Sequence, residues 1–176
     1  MEPRRVKYSL GALSQLQAEA FGQPGHRTFR LALQAGAADC IVWLEKEQLF
    51  QLGVYLQEVI QSLSAEDRQR ASAPKEPEWP GARTSIDFKA GQLSLSHDAA
   101  SNCFYLQAHQ AGEQESREDP SSVSFWITVA QAAALAEEAL RVCAAGRPLC
   151  FLCGLPINPE GHVCPRSNGH IVFEAG

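Results

Sequence analysis

The stretch ADCIVWLEKEQLFQLGVYLQEVIQSL, residues 38–63, changes period in its middle. Its first eight residues run apolar in the manner of a strand. From Lys46 onward, Leu49, Leu52, Leu56, Val59, Ile60 and Leu63 recur at helical spacing. Glu45 and Lys46 open the helix, which places an acidic side chain near its positive end. Working upstream, VKYSLG, LSQLQAEAFG and HRTFRLALQA alternate or run apolar, with Gly or Pro-Gly between them. This segment therefore reads as four strands followed by one helix.

The same order returns downstream. TSIDFKA, GQLSLSHD, NCFYLQAHQA and SVSFWIT precede the Ala-rich helix VAQAAALAEEALRVCAAG, with Gly146 as a C-cap. At an offset of 83 residues, Trp43 matches Trp126, Gln48 matches Gln131, Leu52 matches Leu135 and Val59 matches Val142. One four-stranded sheet with one helix has a single face to bury, whereas two such units bury their inner faces together. The expected fold is α+β: duplicated ββββα units forming one pseudo-symmetric body over 1–145. Repeat 1 covers about 4–63, an acidic Pro-rich linker 64–82, and repeat 2 about 83–145. Residues 146–176 form an appended knuckle. Trp43 and Trp126 are expected to anchor the strand-to-helix junctions in the core.

Composition narrows the class. Of 176 residues, 45% are hydrophobic, enough for a packed core. No apolar run approaches the roughly 20 residues that span a bilayer. The opening MEPRRVKYSL lacks the apolar stretch of a secretory signal. The expected setting is cytoplasmic, without membrane partners. The net charge of -5 comes from residues 64–145, where seven Lys and Arg face twelve Asp and Glu. SAEDRQRASAPKEPEWPG and AGEQESREDPSS hold much of that excess and read as solvated linkers. The lack of a broad basic field argues against duplex DNA as a partner.

Metal chemistry concentrates at the end of the chain. Cys150-x-x-Cys153 presents two thiolates to one ion from a tight turn, and His162-x-Cys164 supplies a second pair. Cys3His is a common tetrahedral set for structural Zn2+. GLPINPEG between the pairs has the composition of a compact turn. His170 is an alternative to His162 as fourth ligand. A redox Cys-x-x-Cys would open a helix after a strand, whereas this pair follows a helix and leads into a Pro-rich turn. A catalytic zinc would keep a position open for water, with Glu160 as the nearby candidate base. The remaining cysteines, Cys40, Cys103 and Cys143, sit in apolar segments and read as buried thiols.

GQPGHRTFRLALQAG, WLEKEQL and GRPLCFLCGLPINPEGHVCPRSNG, in that order, resemble an uncharacterised bacterial family found in actinobacteria and relatives. The resemblance covers nearly the whole chain. It implies one domain with a zinc-ribbon-like end of the form Cys-x-x-Cys…Asp-Pro-x-Gly-His-x-Cys-Pro-Arg-x-Asn-Gly. The motif falls on Cys150, Cys153, His162 and Cys164, then Pro165, Arg166, Asn168 and Gly169. Asn158 stands where the family often has Asp, and His170 where an aromatic residue is expected. The resemblance brings no activity with it.

Two classes of function remain. The order ββββα twice resembles the PUR-repeat and Whirly proteins, which bind single-stranded nucleic acid on curved sheets. The first class is therefore a non-enzymatic binding or adaptor protein whose partner is a protein or single-stranded nucleic acid. Its candidate contacts are His26, Arg27, Phe29, Arg30, Phe104 and Tyr105, with Arg166 and Asn168 in the tail. The alternative is an enzyme with a ligand cleft between the repeats. No His lies in a recognisable catalytic motif, and no residue is assigned a catalytic role.

Overall fold

Alternation along each strand decides which side chains enter the core. In TFRLALQA, residues 28–35, Phe29, Leu31, Leu33 and Ala35 are buried while the residues between them stay partly open. The computed structural model describes residues 6–23, 25–112 and 120–144, with two short strands at 162–163 and 171–172. The elements run β1 (Tyr8–Ala12), β2 (Gln15–Phe21), β3 (Thr28–Ala35), β4 (Ala38–Leu44), α1 (Lys46–Ser62) and α2 (Ala65–Gln69). They continue with β5 (Thr84–Asp98), β6 (Cys103–Gln110), β7 (Ser122–Thr128), α3 (Val129–Ala144), β8 (His162–Val163) and β9 (Ile171–Val172). The architecture is mixed α+β.

Seven strands pair in the order β1-β7-β6-β5-β4-β3-β2. β2, β3 and β4 form an antiparallel meander, as do β5, β6 and β7. The contacts between the meanders are parallel. The first half of β5 runs beside β4, and β1 runs beside β7. TSIDFKA and GQLSLSHD are thus one fifteen-residue strand, not two. Its ladder shifts register between Ala90 and Gln92, the point where it changes partner from β4 to β6. Gly91 lies between them, where the sequence alone suggests a break. In the strand it marks a bulge, the other use a sheet makes of glycine.

Both long helices start with the same device. Gln48 Oε1 accepts from the Glu45 N–H, and Gln131 Oε1 accepts from the Thr128 N–H. The Thr128 hydroxyl oxygen accepts in return from the Gln131 N–H. The other end of each amide holds a strand. Gln131 Nε2 donates to the Leu13 carbonyl, and Gln48 Nε2 to the Ala90 and Gly91 carbonyls. α1 and α3 pack on each other. Gly53 permits this, since a Cβ there would lie 3.2 Å from Ala139 Cβ and from Leu140 Cγ. Leu49, Leu52 and Leu56 of α1 join Ala132, Leu135, Ala136 and Ala139 of α3 in one core with the inner faces of the strands.

The segment 64–82 departs from the solvated linker its composition suggests. Ser64 caps α2, its hydroxyl oxygen accepting from the Asp67 N–H. The chain beyond lies against the body. The Ala12 N–H donates to the Glu76 carbonyl, and the Ala73 N–H to the Ser101 carbonyl. Trp79 packs on the core and edge-on to Tyr8 at 6.3 Å. Gly11, with φ of 71°, is required beneath this strap, because a Cβ there would collide with the Pro77 carbonyl. Asn102, also left-handed at φ of 53°, fastens the far end. Its Nδ2 donates to the Asp67 and Arg70 carbonyls, and its own carbonyl accepts from the Ser72 hydroxyl. The second solvated stretch, AGEQESREDPSS, falls largely on 113–119, outside the described residues.

Candidate functional site

Residues that alternate away from the core in β2, β3 and β4 build an open sheet face. Cys40, Val42 and Leu44 point inward, so Trp43 points outward. It is not the core anchor expected from its place before α1. Alternation within β4 carried that signal. The Arg30 guanidinium lies over the Phe21 ring at 4.5 Å and near the Trp43 ring at 5.4 Å. Cation–π contacts of this kind contribute about 0.5–1 kcal/mol at exposed sites. Arg30 Nε also donates to Glu19 Oε2 at 2.7 Å. The indole N–H of Trp43 donates to Asp87 Oδ1 at 2.8 Å. Phe21 remains 46% exposed. The platform has a fixed cation, two aromatic rings and two adjoining carboxylates, Glu19 on Arg30 and Asp87 on Trp43.

The other candidate contacts disperse. Phe29 is 4% exposed and Phe104 0%, so both are core residues unavailable to a partner. His26 is exposed in the β2–β3 turn, its N–H donating to the Gln23 carbonyl. Arg27 is half-buried, with one terminal nitrogen 3.4 Å from the Val142 carbonyl near the end of α3. Tyr105 stacks on Trp126 at 4.7 Å and accepts from Gln107 Nε2 at its hydroxyl. Trp126 is only 9% exposed, and its indole N–H has no hydrogen-bond partner among the described residues. Cys150, Cys153, Cys164, Arg166 and Asn168 lie outside the described residues. His162 is described only as backbone, opposite Val172 in the β8–β9 pair.

Among the described residues, no group of three or more His, Cys, Asp or Glu converges as a metal site. His97 shares the inner side of its strand pair with Phe104, at 5.0 Å, and bonds Asn102 Oδ1. The three described cysteines are free and buried. Burial pushes the Cys40 thiol up to about 12, with the nearby Asp87 carboxylate adding to it. Burial likewise raises Cys143 to about 11 and also raises Cys103. None of the three is a nucleophile at neutral pH.

A family model described as a protein of unknown function (DUF3090) matches residues 8–164. The chain belongs to this family. The DUF3090 match begins at the first residue of β1 and ends at Cys164, so it takes in Cys150, Cys153, His162 and Cys164. Arg166 and Asn168 lie beyond it. No curated protein and no solved structure matches the chain. No helix among the described residues is long and apolar enough to cross a membrane.

Proposed function

We propose that this is a non-enzymatic binding protein whose duplicated ββββα body offers the outer face of β2, β3 and β4 to a protein partner. In this reading β1 with β2 corresponds to the two halves of β5. Each unit lends its first strand to the sheet of the other. The paired roles of Gln48 and Gln131 support the duplication, since each caps its helix and holds the strand break of the other unit. The tail, 146–176, would be closed by one structural zinc on Cys150, Cys153, His162 and Cys164. Its support is the ligand spacing and the resemblance to a bacterial family with such an end. Ion binding would then supply the folding energy that a short tail lacks in apolar mass. The free buried thiols suit a reducing, cytoplasmic compartment.

The observation that carries the binding reading is the platform of Phe21, Arg30 and Trp43. An exposed ring and a half-open one around a held guanidinium form a preorganised contact surface. Its charge selects the partner class. Arg30 is neutralised by Glu19, and Lys89 by Glu45, which leaves the Asp87 carboxylate without a Lys or Arg partner among the described residues. A polyanion gains little there, whereas a Lys- or Arg-bearing extended protein segment finds both a carboxylate and rings.

The test is a fluorescence titration at low salt with a short Lys/Arg-rich peptide and with a single-stranded oligonucleotide of similar length. The peptide should bind and perturb tryptophan emission. Phe21→Ala and Asp87→Asn should weaken it several-fold. Oligonucleotide binding without peptide binding would instead favour single-stranded nucleic acid. The zinc is tested separately by elemental analysis of protein purified without added metal, with about one equivalent expected. Thiol labelling of native protein after chelation should then reach three cysteines, those of the tail.

A further inference from the structure

Besides the outer side of β1, the sheet leaves an edge of β2 and an edge of the second half of β5 without a neighbouring strand, and these two are treated differently. β2 pairs with β3 on one side only, while α3 runs along the other. There Glu138 of α3 accepts from the Ala18 N–H, which would otherwise face outward unpaired. β5 loses its β4 neighbour after Lys89, and from Gln92 to Asp98 it pairs with β6 alone. α1 packs on α3 and makes no comparable run along β5. Eighty-three residues before Glu138, α1 carries Tyr55, which is 49% exposed and has no carboxylate to offer.

The open edge lacks the usual protections. Alternate residues of an antiparallel strand turn both backbone groups to the same side. Ala18 turns its N–H away from β3, and in the corresponding register Leu95 turns its own away from β6. Leu93 and His97 do the same. No hydrogen bond to these outward groups is present among the described residues. QLSLS, residues 92–96, has no charge, no proline and no bulge within it. Strand edges of natural proteins are normally blunted by one of these features.

We propose that this edge pairs antiparallel with the same edge of a second copy, across a two-fold axis at Leu95. The sequence is self-complementary in that register. Leu95 faces Leu95, Leu93 faces His97, Ser94 faces Ser96 and Gln92 faces Asp98. No like charges oppose each other, and Leu93, Leu95 and His97 supply three paired positions of backbone bonds. The contact is isologous, so it closes at two copies. Its equivalence argument rests on the repeat proposed above, but the pairing itself concerns a surface distinct from the Phe21–Arg30–Trp43 platform.

Sedimentation or light scattering of the full chain over a range of concentrations tests it. The wild type should be a reversible dimer. Ser94→Lys combined with Ser96→Lys sets Lys against Lys twice across the axis and should give a monomer. Both serines are exposed, so the melting behaviour should stay that of the wild-type monomer. Ser94→Lys combined with Ser96→Asp sets opposite charges together and should restore the dimer. A wild type that stays monomeric at the highest soluble concentration overturns the proposal, as does a double-lysine variant that still dimerises. None of these substitutions touches the platform, so peptide binding is read independently of them.

Discussion

Trp43 in β4 and Trp126 in β7 have corresponding neighbours along their strands but different surroundings. Trp43 stays half-open, lies by Arg30, and gives its indole proton to Asp87. Trp126 is buried against Tyr105 and leaves its indole proton unpaired among the described residues. An unmet buried donor costs about 1–3 kcal/mol. The sheet face at Trp43 therefore stays open, while Trp126 is closed over. The edges reverse the pattern, because β2 is guarded by Glu138 and β5 is open. If the halves are the repeats proposed above, they have specialised through substitutions that leave the inner faces alone.

The core is where this comparison is easiest to break. Phe29 and Phe104 sit opposite Leu44 and Ile127 in their ladders, and in the proposed repeat they fill corresponding places. Phe29→Ala and Phe104→Ala should each lose about 3–5 kcal/mol in denaturant unfolding. A loss under about 1 kcal/mol at either would show that the two halves do not share one core. Gln131→Ala should come next, at about 1–2 kcal/mol, since capping and a long-range bond vanish together. Gln48→Ala should cost less, as its bonds to Ala90 and Gly91 are 3.3 and 3.4 Å against 3.0 Å for Gln131 to Leu13. Equal melting shifts for the two would remove that distinction.

Acid should separate the halves further. Bonds from the Ser101 hydroxyl and N–H, and from Lys75, hold the Asp98 carboxyl down at about 2. An unfolded Asp titrates near 3.9. The stabilisation from this lowered value is therefore present above about pH 4 and fades as pH falls toward 2. In the proposed repeat the position matching Asp98 is Phe21, which does not titrate. Proteolysis of the strap at 70–80 should accelerate over that window in the wild type and show a flatter profile in Asp98→Asn. The smallest expected effect is Phe21→Ala, within about 0.5 kcal/mol on stability because the ring is exposed. It should still change the emission of Trp43, which lies 6.5 Å away.

Strand and helix positions were legible because period-2 burial in β3 and β4 and period-3.6 burial in α1 come from local geometry. Expected and observed ends of α1 differ by one residue. The strap was not legible. SAEDRQRASAPKEPEWPG is polar enough to stay in water, and its docking depends on Gly11 and Asn102, each far from it in sequence. The platform was half legible. Arg30 stands out in sequence from its basic and aromatic surroundings, but its ring partner is Phe21, not the adjacent Phe29. Strand parity places Phe29 inside, whereas Phe21 reaches Arg30 only through the β2–β3 register. The zinc ligand set proposed for the tail rests on spacing and on the family resemblance, and the spacing is informative because metal geometry restricts it so tightly.

The parallel pairing of β1 with β7 also sets an order for synthesis. β1 leaves the ribosome before the other six strands of the seven-stranded sheet, and its partner is the last of them. At roughly 5–20 residues per second, the 116 residues from Ala12 to Thr128 take on the order of ten seconds to follow. During that time β2, β3, β4 and α1 can form neighbouring contacts, but β1 has nowhere to go. Its five residues, one of them Gly11, make a short and weakly adhesive strand, well suited to waiting. Nascent chains arrested before Ser122 should accordingly expose Tyr8–Ala12 to protease, and chains arrested well past Ala144 should protect it.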